Sequence, residues 1–308
     1  MNLARNKIVY LALGESYVSQ AIFSLLTLVD VYRGERPPAE VVVYTNASAS
    51  FAGLRRFLNI TAVELSDDEL RRMKGDHQDI LRAKIMAMRE TMDVEPAKLL
   101  YIDTDTIFLR RIDSMFTEIG SGRLFLHKQE WPLRKGRKLH PELCPANLSF
   151  RLDSGTMVEV VESSIMWNSG VVGITSERKA LVDEVLSLHH QFYAKHPTWH
   201  VEQFCYSLIL ANAGNLRDCR RYIFHYWHTK RITSMYLGIV GKHSEMEQLA
   251  LLRGVRRCKI RMVWTGRALY YGHRIKVMIR DFPGVYPVFV AVKRLFKDGR
   301  SPLNARED

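Results

Sequence analysis

The chain has 308 residues, of which 47% are hydrophobic and 25% are charged, and these proportions exclude a chain that is disordered along its whole length. No apolar run approaches the roughly 18 residues that a membrane-spanning helix requires, so we expect the chain not to cross a bilayer. The formal charge of +12 is concentrated in residues 253–308, which hold 14 Lys/Arg and 4 Asp/Glu. The four cysteines lie far apart without a Cys-x-x-Cys pair, which argues against a zinc knuckle or a disulfide framework and favours a reducing cytoplasm.

The first hundred residues alternate strand-like and helix-like patterns. The predicted strands are residues 7–13, 41–44, 61–65 and 98–102. The predicted helices are residues 17–32, a short helix at 51–57 and a helix-rich stretch at 67–92. Ser66 and Glu69 are placed like a capping box at the start of that stretch. This alternation predicts a parallel sheet covered by helices on both faces, whose ligands bind beyond the carboxyl ends of its strands.

The pattern changes between residues 122 and 174, where short strand-like runs are separated by Pro, Gly and basic residues. We therefore expect a mixed but mostly parallel central sheet with flanking helices. Two helices, at 177–195 and 201–212, precede an aromatic and His-rich strand at 222–228. The organisation is predicted as an α/β domain, residues 1–235, followed by a basic amphipathic helical extension, residues 236–308.

The turn Asp103-Thr104-Asp105 directly follows the predicted strand at 98–102 and precedes another apolar run. An Asp-x-Asp pair alone is a weak signal, because about one is expected by chance in a chain with this many aspartates. Its position is more informative, since it holds two carboxylates where a cleft is expected. A hard divalent cation takes oxygen ligands and offsets the charge on a leaving diphosphate. The alternative is a solvated turn whose aspartates cap the local backbone.

Several segments follow one another in a recognisable order: LRAKIMAM, LLYIDTDTIFL, MWNSGVVGI, VEQF and FHYWHTK. Over roughly residues 7–232 this order resembles glycosyltransferase family 8, whose members have the GT-A fold. The resemblance implies a hexosyltransferase that moves a sugar from a nucleotide-diphosphate sugar to a hydroxyl of a glycan or lipid-linked acceptor. A UDP-sugar is the expected donor. It also implies retention of the anomeric configuration. Residues 1–110 would form the nucleotide-binding half and 111–235 the acceptor half.

The resemblance implies a metal and diphosphate site. By position, Asp103, Asp105 and His225 would bind Mn²⁺ or Mg²⁺, and Thr104 would contact the donor from the same turn. Lys230 would contact the diphosphate. The chain departs from the family after His225, and His228 is an alternative metal ligand, because at this spacing two residues of an extended segment point to opposite faces.

The resemblance also implies a sugar pocket. The segment Asn168-Ser169-Gly170 is similar to one that lines the donor sugar, where an amide can bond hydroxyls and glycine lets the backbone approach. A turn at the start of a strand is the alternative. Glu202 and Gln203 resemble the Asp-Gln pair that orients the sugar in the family, with the longer Glu as a departure. A solvated helix N-terminus, where an acidic residue is favoured, is the alternative.

Two further donor contacts are implied, at Lys84 and Tyr17. Lys84 matches a basic donor-binding position and lies beside an apolar helix face, so its chain could reach the cleft by snorkelling. A solvated charge is the alternative. Tyr17 resembles the aromatic residue that packs on the nucleotide base, but in the first turn of a helix it could equally be part of the core.

The tail from residue 253 to 300 interleaves Arg and Lys with Ile, Val, Tyr, Trp and Phe. Such a surface attracts anionic lipid or a polyanionic acceptor. We expect a cytoplasmic protein that lies on the cytoplasmic face of a membrane. The alternative is a helical cap with a solvated basic face. Nucleic acid is not the expected partner, because the aromatic positions match no RNP-like motif.

Two rival functions remain open at this stage. A HAD-like phosphohydrolase also places an Asp-x-Asp motif at the end of a buried strand, with one Asp as nucleophile. That class needs a later acidic pair of the Gly-Asp-x-x-x-Asp type for magnesium, and the sequence shows no such motif after Asp113. The second rival is a non-catalytic protein that binds membrane surfaces through the basic tail.

Overall fold

The computed structural model of the chain describes residues 5–136, 148–198, 200–227 and 235–281, with side chains as far as residue 269. The strands in these ranges are β1 (Arg5–Ala12), β2 (Glu40–Thr45), β3 (Asn59–Glu64), β4 (Ala97–Ile102), β5 (Thr106–Phe108), β6 (Leu124–Pro132), β7 (Leu148–Arg151), β8 (Met157–Val160), β9 (Ile165–Thr175), β10 (Leu216–Asp218) and β11 (Ile223–His225). The α-helices are α1 (Glu15–Val31), α2 (Asp67–Lys74), α3 (Ile80–Val94), α4 (Asp113–Gly120), α5 (Leu133–Gly136), α6 (Lys179–Tyr193), α7 (Val201–Asn212), α8 (Leu237–Val240) and α9 (Gln248–Asp281).

The central sheet has seven strands in the order β10-β6-β9-β4-β1-β2-β3. Strands β3, β2, β1 and β4 are parallel to one another, whereas β9 is antiparallel to both β4 and β6. The predicted α/β fold with a mixed, mostly parallel sheet is therefore confirmed. Two small antiparallel pairs, β5 with β11 and β7 with β8, lie outside this sheet.

The sheet is buried on both faces, as parallel sheets are when helices cover each side. Successive side chains of a strand point to opposite faces, so Ile8 and Tyr10 enter the core that contains α1. Val9 enters the core that contains α3, α6 and α7. The site described below lies where the second helix layer meets the carboxyl ends of the strands.

The helix boundaries show which local signals were informative. The capping box is present, with Glu69 N donating to Ser66 Oγ at 3.3 Å and Ser66 N donating to Glu69 Oε2 at 2.8 Å. The predicted stretch 67–92 is two helices, interrupted at Gly75, whose φ is 68°. Helix α3 then begins after Asp79, which accepts from Leu81 N at 3.0 Å.

Three elements differ from prediction. The short helix expected at 51–57 is a 3₁₀ helix at Ser48–Arg56. A 3₁₀ turn at Ser176–Arg178 precedes α6, so that α-helix begins later than expected. The strand expected at 222–228 is only Ile223–His225, because its pairing partner β5 offers three residues.

The predicted helical extension is present as α9, whose first half packs against α1. Its buried side includes Leu251, Val255 and Met262. The buried carboxylate of Asp30 pairs with Arg256 at 3.0 Å and with Lys259, which ties the helix to the domain. No helix in the described part of the chain is long and apolar enough to span a bilayer. The boundary at residue 235 stays a prediction.

Candidate active site

Two strand pairings bring the acidic turn and a histidine together. Where β4 ends, Asp103 N donates to Gly170 O at 2.8 Å, which attaches the turn to β9. The pairing of β5 with β11 sets Thr106 opposite His225. As a result His225 Nε2 lies 2.9 Å from Asp105 Oδ1 and 3.8 Å from Asp103 Oδ2.

Asp103, Asp105 and His225 form a group that can hold a metal ion. One ligand atom from each residue lies within 4.8 Å of the others. Among the described residues, no other group of three His, Cys, Asp or Glu side chains meets this distance. Two carboxylate oxygens and one imidazole nitrogen suit Mn²⁺ or Mg²⁺, and the nitrogen favours Mn²⁺ of the two. The residues present therefore fit the predicted metal.

The ring of His225 is buried and held at both nitrogens. Its Nδ1 donates to Asn168 Oδ1 at 2.8 Å, and its Nε2 contacts Asp105 Oδ1 at 2.9 Å. Burial by itself lowers the pKa of His225, but the carboxylates of Asp105 and Asp103 more than offset it, so the pKa is raised. The ring packs directly against Gly170, where an added Cβ would come closer than 3.0 Å to ring atoms.

Lys84 is a buried cation at the centre of the site. Its ammonium lies 3.1 Å from Asp103 Oδ1 and 3.0 Å from Glu202 Oε1, and it donates to Ser169 O at 2.8 Å. Burial alone lowers the pKa of Lys84, but the Asp103 and Glu202 carboxylates outweigh burial and raise it. Burial raises the pKa of Glu202, partly offset by Lys84. Lys84 is thus no solvated surface charge, and one of the two turn carboxylates has a lysine partner.

Asn168 acts on its neighbours at both ends of its amide. Its Oδ1 accepts from Gly170 N at 3.1 Å and from His225 Nδ1. Its Nδ2 donates to Glu130 Oε1 at 3.3 Å and to Gln203 Oε1 at 3.4 Å. The amide therefore positions the His225 ring, and its direct contact with a sugar stays a prediction.

Glu130, on β6, is a site residue that the sequence analysis missed. Its Oε2 accepts from Gln203 Nε2 at 2.9 Å, and its Oε1 accepts from Asn168. It is half-buried, so its carboxylate remains partly open to solvent. The available signal was an acidic residue near the end of a predicted strand, but nothing local indicated that β6 lies beside β9.

His127 is a second missed residue, on the same strand. Its ring is buried, and Nε2 donates to Ile223 O at 3.2 Å. It meets the His225 ring edge to face, with 5.4 Å between centroids. Burial, with the nearby charge of His225, holds the pKa of His127 well below its usual range. His127 is therefore a neutral packing partner for His225.

Of the remaining predicted residues, Thr104 and Tyr17 lie in the described part of the chain. The Thr104 hydroxyl donates to Gln20 Oε1 on α1 at 2.9 Å, so its side chain turns away. Tyr17 is 50% exposed, which excludes the core alternative and leaves its contact with a base as a prediction. Lys230 and His228 lie outside the described residues.

No protein-family model matches the chain, and no curated protein matches its sequence. Among solved structures, the chain is similar to glycosyltransferase GlyE of Streptococcus pneumoniae TIGR4, at 11% identity and a TM-score of 0.47, covering 82% of this chain and 63% of that one. It is similar to galactosyltransferase LgtC in complex with donor and acceptor sugar analogs, at 12% identity and a TM-score of 0.43, covering 66% and 70%. It is also similar to the bifunctional glycosyltransferase WbbM, at 9% identity and a TM-score of 0.41, covering 71% and 39%.

The chain thus spans less than two thirds of the length of GlyE and of WbbM. All three proteins are named as glycosyltransferases, the class that the sequence resembles. At these identities and TM-scores we take no residue role from them. The activity proposed for this chain rests on the contacts of its own site.

Proposed function

We propose that the chain is a metal-dependent glycosyltransferase that moves a sugar from a nucleotide-diphosphate sugar to a hydroxyl acceptor. A UDP-sugar is the favoured donor. The observation that carries the proposal is the group Asp103, Asp105 and His225 at the carboxyl end of β4, with Lys84 beside it. Open α/β sheets bind ligands outside the carboxyl ends of their strands. The ordered segments that resemble family 8 support the same activity.

The charges of the site favour a divalent cation. Lys84 pairs with the carboxylates of Asp103 and Glu202. Asp105 adds a third carboxylate, which faces His225. With His225 neutral, a divalent ion makes this set neutral overall, whereas a monovalent ion leaves an excess negative charge. When bound, the metal would offset the charge that develops on the departing diphosphate.

The chain's own residues supply rigidity around that position. Lys84 is fixed by three oxygens, including Ser169 O, so it needs no reorganisation when negative charge approaches. Asn168 holds His225, and Gln203 is held by Glu130. The half-buried Glu130 carboxylate is placed to accept a hydrogen bond from a sugar hydroxyl.

The phosphohydrolase alternative is less well supported. A HAD-like site needs a further acidic pair to complete its magnesium site, but here the group is completed by His225 of β11. Among the described residues the metal-capable group contains no third carboxylate. Release of phosphate from p-nitrophenyl phosphate, without hydrolysis of any sugar nucleotide, would restore that alternative.

The direct test is a screen of UDP-sugars and GDP-sugars for Mn²⁺-dependent hydrolysis, repeated with Asp105→Asn. This isosteric change removes a ligand charge, and we expect hydrolysis to fall by about 100-fold. Asp153→Asn, an exposed aspartate outside the site, is the matched control and should leave the rate unchanged. Equal turnover by Asp105→Asn would refute the proposed metal role. Proton NMR of the first product formed with an acceptor tests retention.

We further propose that α9 docks on an anionic membrane surface. Its solvent side presents Arg257, Ile260, Arg261 and Trp264 at helical spacing, and Trp264 is 70% exposed. No acidic residue occurs between residues 248 and 280, so the charge of this face is complementary to anionic lipid. A basic face with a projecting Trp is typical of helices that lie in the membrane interface.

Co-sedimentation with vesicles tests this docking. Each Arg near an anionic surface contributes about 1 kcal/mol, so Arg257→Ala with Arg261→Ala should weaken binding by about 30-fold. Binding should require phosphatidylglycerol in the vesicles and weaken with salt. Lys242→Ala, an exposed lysine outside α9, is the control. Equal binding to neutral phosphatidylcholine vesicles would contradict the proposal.

A further inference from the structure

A second cavity lies on the other side of α3, away from the candidate active site. It has a volume of about 590 Å³ and lies between the connection from α2 to α3 and the end of α6. Arg72, Lys74 and Arg82 line one side, and His189 and Tyr193 line the other. It shares no lining residue with the metal group.

The basic side of the cavity offers N–H donors that lack acceptors. The Lys74 ammonium makes no hydrogen bond or ion pair with any described residue. Arg82 uses Nη1 to cap the last turn of α2, donating to Arg72 O at 3.0 Å and to Met73 O at 2.5 Å, which leaves Nε and Nη2 for a ligand. Burial, with the nearby Arg72 and Arg89 guanidinium groups, lowers the pKa of Arg82 in spite of Asp76. An anion in the cavity would relieve this crowding.

The opposite side contributes a buried imidazole with a free nitrogen. His189 is 1% exposed, and its Nε2 lies 2.8 Å from Asp79 Oδ2. Asp79 Oδ1 accepts from Leu81 N at 3.0 Å. The contact between His189 Nε2 and Asp79 Oδ2 is a close charge contact whose angles do not make a hydrogen bond, but a carboxylate beside Nε2 favours the hydrogen on that nitrogen. His189 Nδ1 has no hydrogen-bond partner in the described structure. A buried nitrogen without a hydrogen-bond partner is destabilising, and a ligand that bonds it would remove that cost.

The acidic residues of the lining are largely engaged. Asp68 pairs with Arg71 at 2.6 Å, and Asp79 is held by α3 and His189. Asp76 is exposed, where water screens its charge. The carboxylates of the lining therefore leave the Lys74 ammonium and the free edge of Arg82 without an acceptor in the cavity.

The size and the rings of the cavity indicate more than a bare anion. A volume of about 590 Å³ falls in the range of roughly 300–1,000 Å³ that holds small organic ligands. The centroid of the His77 ring lies 6.2 Å from that of His190 and 5.8 Å from that of Tyr193. Such rings offer an apolar and polarisable surface to the organic part of a ligand.

We propose that this cavity binds a phosphate monoester. Its phosphoryl oxygens would accept from Lys74 and from the free edge of Arg82, and the P–OH group of the monoanion would donate to His189 Nδ1. Guanidinium groups are well suited to phosphate because their planar fork matches its oxygens. The organic group of the ester lies against the rings of His77 and Tyr193. The site is independent of the proposed glycosyl transfer and needs neither the metal nor the donor.

The test is calorimetric titration of the metal-free full chain with glucose 1-phosphate and, separately, with inorganic phosphate. We expect saturable binding of the ester, weakened at least tenfold by Lys74→Ala combined with Arg82→Lys, which removes the Lys74 ammonium and the free guanidinium edge. Arg55→Ala, an exposed arginine outside the cavity, should bind as the unaltered chain does. So should Asp105→Asn, because the metal group is not part of this site.

Four results would overturn the proposal. The first is the absence of saturable binding, and the second is equal binding by the Lys74/Arg82 variant. The third is loss of binding in Asp105→Asn, which would place the anion at the active site. Equal affinity for inorganic phosphate would overturn the assignment to an ester. The titrations contain no sugar nucleotide and no metal. Their outcome is therefore independent of whether the proposed glycosyl transfer takes place.

Discussion

Replacing Gly170 with alanine should weaken metal binding without altering any of the proposed ligands. A Cβ at this position would lie closer than 3.0 Å to Nδ1 and Cε1 of His225, and 3.0 Å from Asn168 Oδ1. Gly170 has no positive φ, so alanine suits the backbone and the conflict is between side chains. The imidazole must move away from the position in which it faces Asp105.

The magnitude follows from the contacts that His225 would lose. The ring is held by hydrogen bonds of 2.8 Å to Asn168 and 2.9 Å to Asp105. Disturbing the support of one metal ligand typically lowers affinity by about 10–100-fold, which corresponds to about 1.4–2.8 kcal/mol. Overpacking should also lower the free energy of unfolding by about 1–3 kcal/mol.

Gly173→Ala is a matched control on the same strand. Its Cβ would meet Phe125 Cβ at 2.9 Å, with Ile119 and Leu100 at 3.2 Å, so it overpacks the core away from the site. Thermal denaturation and Mn²⁺ titration of both variants separate the two effects. We expect both to be destabilised and only Gly170→Ala to lose Mn²⁺ affinity. A folded Gly170→Ala protein that binds Mn²⁺ like the unaltered chain would refute the reasoning.

Three further predictions follow from the same contacts. Mn²⁺ affinity should fall as the pH is lowered through the raised pKa of His225, because the metal needs the neutral ring, and Mn²⁺ titrations at a series of pH values should show it. In the metal-free chain the charged ring instead stabilises the fold at low pH, and that contribution is lost as the pH rises through this pKa. Lys84→Met should lower the free energy of unfolding by about 3–5 kcal/mol, because it leaves the buried Glu202 carboxylate without its ion-pair partner. Denaturant unfolding should show that the double variant Lys84→Met/Glu202→Gln regains part of this free energy. Burial raises the pKa of Cys258 to about 11, so in a Cys144→Ala chain this thiol should react with Ellman's reagent only after denaturation; rapid labelling of the native protein would contradict its burial.

Much of the fold follows from local patterns in the sequence. Helix α7 spans Val201–Asn212, as its apolar periodicity predicts, and β4 differs from its predicted range by one residue. The capping box at Ser66 and Glu69 depends on neighbouring residues alone, so it could be recognised without the fold. The 3₁₀ geometry of Ser48–Arg56 could not, because hydrophobic spacing does not separate a 3₁₀ helix from a short α-helix.

The partners of the site depend on contacts between residues far apart in the chain. Asp105 and His225 are 120 residues apart, and Lys84 and Ser169 are 85 apart. Glu130 reaches Asn168 and Gln203 only because β9 lies between β4 and β6 in the sheet. No local pattern encodes that order of strands.

The sequence by itself determined the alternation of strands and helices and the position of the Asp103/Asp105 turn at a strand end, because both depend on residues close together along the chain. The burial of Lys84 between Asp103 and Glu202 was decided by the tertiary structure, as was the engagement of Asn168 with His225. Desolvation and long-range strand pairing set these contacts. They act only when the layers pack, so the charge balance that favours a divalent cation belongs to the folded chain.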